Sequence, residues 1–244
     1  MVNTTMTYKI FRVGLQQILR DGILLVLIPA PFLMGAVLRY FLPVADALLQ
    51  QRMEYSIASW FPLSDAMLIT MTPIMTAMIC AFVILDERDE QVGIYYHITP
   101  AGGYSYLIAR ILLPMIWALG SSILVMGLFA LVIEDGLRIF IASLVGSLQG
   151  VAMSMLLVSI AGNKVEGLAL AKLTNIVAMG FLVPFFVSSP AKYAFGILPS
   201  LWIGEIFKGA HPGVAVLLFY GLMGVLTSLL WMGVLSKVFL RRIS

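Results

Sequence analysis

Six stretches of this chain contain no Asp, Glu, Lys or Arg: residues 22–38, 66–85, 111–133, 139–163, 173–191 and 212–236. A mostly apolar helix of roughly 20 residues crosses the ~30 Å hydrocarbon core of a bilayer, so each stretch predicts a transmembrane span. Together they occupy 129 of the 244 residues. Charged residues make up only 11% of the chain, against about 25% in a soluble domain, and the mean hydropathy is +1.02. A water-soluble fold is excluded. The expectation is an all-α polytopic membrane protein: an N-terminal amphipathic interfacial helix, six transmembrane helices, and a short re-entrant or interfacial helix before the last span.

The connections are too short to hold a second core, so residues 1–244 read as a single transmembrane domain. Within it, 1–21 form the interfacial segment and the spans lie near 22–42, 66–85, 106–133, 138–162, 168–189 and 212–238. The apolar run after Lys9, Arg12, Arg20 and Asp21 has no small-residue cleavage site, so the first span is expected to be retained rather than removed as a signal peptide. Six spans place both termini on one side. Assigning the termini and the loops around 86–110 and 164–172 to that side collects ten of the 15 basic residues, a bias that makes it cytoplasmic in a cell membrane. The same distribution accounts for the net charge of +3 without nucleic acid as a partner. Cys80, the single cysteine, allows no internal disulfide.

Residues 8–20 alternate Tyr8, Phe11, Leu15 and Ile18 with Lys9, Arg12, Gln16 and Arg20 at helical steps, which predicts a helix lying along the interface, with a turn near Asp21 and Gly22. The segments 43–65 and 188–212 are expected as outer loops. The second of these holds an apolar stretch, Ala194 to Ile203, that is too short to span.

Signatures of soluble catalysis are absent: no phosphate-binding Gly-rich loop, no His-Glu-x-x-His and no Cys-x-x-Cys. The two histidines, His97 and His211, fall on opposite sides of the predicted topology, so neither a metal site nor a catalytic residue is expected. Serines within the spans have no histidine base near them in the topology. Small residues four apart, Gly146 with Gly150 and Gly224 with Ser228, suit close helix packing inside the subunit or a dimer seam. Gln149 and Asn175 each imply an interhelical hydrogen bond or a polar route. Thr72 and Thr76 on the second span, and Asn175 and Met179 on the fifth, give each helix one mildly polar, adaptable face.

The segment 85–110 is the most informative. Four acids and one arginine, Asp86-Glu87-Arg88-Asp89-Glu90, follow the second span directly, the opposite of the basic residues that anchor a cytoplasmic boundary. Gly93, then Thr99-Pro100, then Tyr106-Leu107-Ile108-Ala109-Arg110 lead into the third span. In this order the motifs resemble the signature of type-2 ATP-binding-cassette exporter permeases. The resemblance extends to the N-terminal helix, the six spans, the Gly162–Gly167 loop and Pro199-Ser200-Leu201-Trp202 before the last span; Gln91-Val92 and Gly102-Gly103-Tyr104 depart from the usual pattern.

The resemblance implies a half-transporter whose coupling helix, within Asp86 to Tyr96, sits on a separate nucleotide-binding ATPase subunit. Docking residues carried over are Arg12, Gln16, Asp86, Glu87, Arg88, Asp89, Glu90, Gly93, Thr99 and Pro100. This chain would bind no cofactor itself, ATP and Mg being held by the partner. It also implies pairing with a second permease copy or close homologue, the second and fifth spans lining the pathway for an apolar or amphipathic substrate. The competing expectation is a non-transporting scaffold that recruits a cytosolic partner through the 86–105 loop.

Overall fold

Inside a bilayer a backbone can satisfy its polar groups only within itself, which for an apolar chain of this pattern means helices. The computed structural model describes residues 4–90, 108–209 and 213–243, and every regular element among them is helical. In chain order these are α1 (Thr4–Arg20), α2 (Gly22–Leu27), α3 (Ala30–Met53), α4 (Phe61–Asp89), α5 (Leu113–Phe129), α6 (Gly136–Ile160), α7 (Lys164–Ala178), α8 (Val183–Phe186), α9 (Pro199–Lys208) and α10 (Val214–Ile243). A π-helical turn, Ile108–Leu112, leads into α5. Six stretches are long and apolar enough to cross a membrane: Gly22–Met53, Ala58–Asp89, Arg110–Phe129, Gly136–Ile160, Lys164–Phe186 and Val214–Ser236. The all-α, six-span architecture is therefore present.

Helix ends follow local chemistry. Asp21 breaks the chain between α1 and α2 by accepting the N–H groups of Ile23 (2.8 Å) and Leu24 (3.2 Å). Asn163 caps α7 by accepting the N–H of Glu166 (2.8 Å), and the Glu166 carboxylate accepts the N–H of Gly162, the residue before the cap, at 2.6 Å.

The second and fourth spans form the axis: in both, 89% of the most apolar window is buried, against 17–35% in the other four. Close approach of α4 and α6 needs the small residues of α6. A Cβ on Gly150 would lie 2.6 Å from the Pro73 carbonyl oxygen, and one on Gly146 would lie 3.0 Å from that of Ile69. Pro73 has no N–H, so the Ile69 carbonyl lacks its helical donor and turns toward α6. The small-residue pattern thus serves packing within the subunit; Gly224 of α10 likewise sits against Val145. Apolar clusters fill both ends of this axis, one around Met78, Phe82, Leu157 and Val158, the other around Ile69, Met126, Phe181, Ile203 and Phe207.

Two expectations about loops are corrected. Much of 43–65 is helical, because α3 runs through Pro43 to Met53 and α4 begins at Phe61. Asp46 closes the turn between them, accepting from Ile57 N–H at 2.7 Å and the Ser56 hydroxyl at 3.0 Å. Asp65 is buried rather than looped out, its carboxylate receiving the N–H groups of Leu131 (2.9 Å), Val132 (3.0 Å) and Ile133 (3.2 Å). The expected short helix lies a few residues later, at Pro199–Lys208, and Pro199 through Phe207 are all buried, packed on α4, α6 and α10. Arg138 fixes its C-terminus by donating to the carbonyls of Ile206 (2.8 Å) and Gly209 (2.5 Å).

Candidate functional site

The acidic cluster occupies the last turn of α4, at the end of the bundle that also holds α1. Successive residues of a helix point about 100° apart, so four in a row face all sides. Together the four tie the start of α7, the π-helical turn and the end of α6. Asp86 accepts from the Lys164 ammonium at 2.6 Å, and the same ammonium pairs with Asp21 at the α1–α2 junction. Glu87 pairs with Arg110 in the π-helical turn, both side chains almost fully buried. Arg88 donates to the carbonyls of Val158 (3.2 Å) and Ala161 (2.8 Å), the free C-terminal end of α6. Asp89 accepts the N–H of Lys164 at 3.0 Å, the open N-terminal end of α7.

α1 lies over this cluster at Gly14, which is buried; a Cβ there would lie 3.1 Å from the Arg110 guanidinium carbon, so a larger residue has to push that head group aside. The hydrogen bond from Lys164 holds the Asp21 carboxyl below the ordinary aspartate value, helped by the N–H groups of Leu24 and Ile23 and opposed by slight burial.

The residues expected to dock a partner therefore divide. Asp86, Glu87, Arg88 and Asp89 bind their own chain. Arg12, Gln16 and Glu90 are exposed at the same end, and Asp89 is exposed as well as bonded. Gly93, Thr99 and Pro100 lie outside the described residues. Sequence reading missed that Arg110 and Lys164 are the partners of the acids and that Asp21 shares the Lys164 ammonium with Asp86. The available signal was charge balance, since four acids leaving a span together need cations beside them, and the next spans begin with Arg110 and Lys164.

The expected pathway residues also divide. Thr72 and Thr76 are buried and spend their hydroxyls on their own helix, on Leu68 (2.8 Å) and on Thr72 and Pro73 (3.1 and 3.0 Å). Asn175 and Met179 are exposed on α7 and its continuation. The opposite face of α7, with Gly167, Thr174 and Ala178, packs on α4.

Six apolar spans, two forming an axis and four around it, knit at one end by charges, define a multi-pass membrane protein. The family model described as "Fluoroquinolones export permease protein Rv2686c-like" matches residues 14–236, and the chain belongs to this Rv2686c-like family of exporter permeases. Two similar proteins are the fluoroquinolones export permease proteins MT2760 and Rv2686c of Mycobacterium tuberculosis, strains CDC 1551 / Oshkosh and H37Rv. Each is 27% identical over 198 residues, covering 77% of this chain and 76% of the relative. No solved structure matches the chain.

Proposed function

We propose that this chain is the membrane subunit of an ATP-driven exporter, with both termini cytoplasmic in the cell membrane, working by alternating access with ATP and Mg held by a separate ATPase subunit. The carrying observation is membership of an exporter permease family over residues 14–236. The cargo is amphipathic and aromatic, of the fluoroquinolone kind after which the relatives are named. A second permease copy or close homologue completes the pathway.

The α1 end is the face that meets the ATPase, with Arg12, Gln16, Glu90 and the loop that carries Gly93, Thr99 and Pro100 in contact. Asp86 to Asp89 transmit rather than dock. Because one turn of α4 is tied to the α1–α2 junction, the third span, α6 and α7, a push on the loop beyond Glu90 moves those elements as a unit. On the pathway side, the exposed face of α7 supports a role for Asn175 and Met179; Thr72 and Thr76 act in this reading by keeping the second span rigid.

The test is transport in inverted membrane vesicles containing this chain with a nucleotide-binding subunit. Accumulation of a fluoroquinolone that needs ATP hydrolysis is expected, and it should fall several-fold when Arg12, Gln16 and Glu90 are replaced together by Ala, with the subunit still folded. Accumulation that is unchanged by an ATPase-dead partner would overturn the ATP-driven reading, and a permease that recruits an ATPase but moves no cargo would favour the scaffold.

A further inference from the structure

Lys172 lies within the candidate span Lys164–Phe186. It is eight residues beyond Lys164, which is fixed in the charge cluster at the α1 end, so at 1.5 Å per residue it lies roughly 12 Å further along the helix. It is exposed, and it makes no ion pair with any of the described residues. The face of α7 that packs on α4 is marked by Gly167, Thr174 and Ala178, and Lys172 points almost directly away from it. Asn175, Ile176 and Met179 follow at three, four and seven residues, so one face combines an ammonium, an amide and two adaptable apolar side chains, the latter 64% and 50% exposed.

An ammonium held in lipid at the centre of a span costs a few kcal/mol, and ionisable groups within spans accordingly mark water-filled or substrate-lined routes. The cost disappears if an anionic group arrives to pair with it. We infer that Lys172, with Asn175 one turn beyond it, is the anion-recognising element of the transport route and selects amphipathic cargo that carries a carboxylate. The inference rests on the exporter reading. Lys172 takes the carboxylate, Asn175 supplies hydrogen bonds to a neighbouring carbonyl, and Ile176 and Met179 accept the apolar ring system.

The experiment measures binding of a fluoroquinolone acid and of its methyl ester to the full-length protein, with its ATPase partner, in phosphatidylcholine nanodiscs. The native protein should prefer the acid by roughly tenfold, as one charge-assisted contact warrants. Lys172→Gln should lose that preference while still binding the ester, which shows that it is folded, and Lys172→Arg should keep it. Retention of the preference by Lys172→Gln, or equal binding of acid and ester by the native protein, overturns the assignment and leaves the exporter reading standing. Failure of the native protein to bind either compound overturns the cargo reading as well. Competition by phosphatidylglycerol that abolishes acid binding in the native protein only through Lys172 would assign the lysine to a lipid headgroup instead.

Discussion

Lys164 joins three elements through one side chain and one N–H: the α1–α2 junction at Asp21, the end of α4 at Asp86 and Asp89, and its own helix α7. Lys164→Met removes the ammonium and leaves two carboxylates facing each other, so a loss on the order of 1–2 kcal/mol is expected, read as a lower unfolding temperature in detergent. The Glu87–Arg110 pair is more deeply buried, at 1% and 6% side-chain exposure. Arg110→Met alone should cost about 3–5 kcal/mol, and adding Glu87→Gln should recover much of it, since an uncompensated buried charge is what hurts. A double-mutant cycle in thermal unfolding measures this; additive losses would show that the two groups act independently.

Acid should test the same end of the molecule differently. The Asp21 carboxyl titrates below its ordinary value of 3.8, so its contribution to stability is complete above that value and is lost as pH falls through its own lowered pKa. Unfolding temperature should therefore hold near pH 5 and drop in the range below 3.8, with Asp21→Asn already lower at pH 5 and flatter through the acid range. Lys192, at the opposite end, is sensitive to base: burial is the largest single influence and lowers its pKa, but the hydrogen bond and charge of Glu205 together with Tyr193 outweigh it and raise the net value, so that contact persists through the usual lysine range and opens only above it.

Among the elements, α4 and α6 depend most on shape. Gly150→Leu puts a side chain where a Cβ already meets the Pro73 carbonyl at 2.6 Å, and a loss of about 1–3 kcal/mol is expected from the forced separation of the two helices. Gly120→Ala, with open space around it, should leave the unfolding temperature unchanged or raised. The six spans were legible in the sequence because hydrophobicity over some 20 residues depends on no partner. The small-residue stripe was legible as packing for the same reason. What each charge does was not, because Asp86 meets Lys164 across 78 positions and Glu87 meets Arg110 across 23, pairings that only helix placement decides. Thr72 and Thr76 misled as polar face residues: a threonine in a span can satisfy itself on its own backbone, and periodicity does not distinguish that from a lining role. Lys172 reads as a topogenic charge because the charge-free stretch begins only at 173 and 164–172 reads as a loop, whereas the Asn163 cap starts the helix at Lys164 and makes Lys172 part of it.

At the scale of the whole molecule, a buried axis is surrounded by four sparsely packed spans. The cavity between Cys80, Arg110 and Ser154 is about 10 Å³, enough for one water. The cargo route proposed above runs along the outward face of α7, where Asn175 and Met179 are exposed. The four ties of the last turn of α4 have a genetic consequence. Adding one residue between Phe82 and Leu85 would rotate Asp86 to Asp89 by about 100°, so that all four lose their partners in a single step. The same addition after Glu54, where α3 has already ended, displaces only the short turn pinned by Asp46. A library of single-codon insertions, scored for the amount of folded protein in the membrane, should tolerate changes near 54–57 and reject them near 83–85. Frame within that one helix is therefore under stricter constraint than the identity of any residue in it.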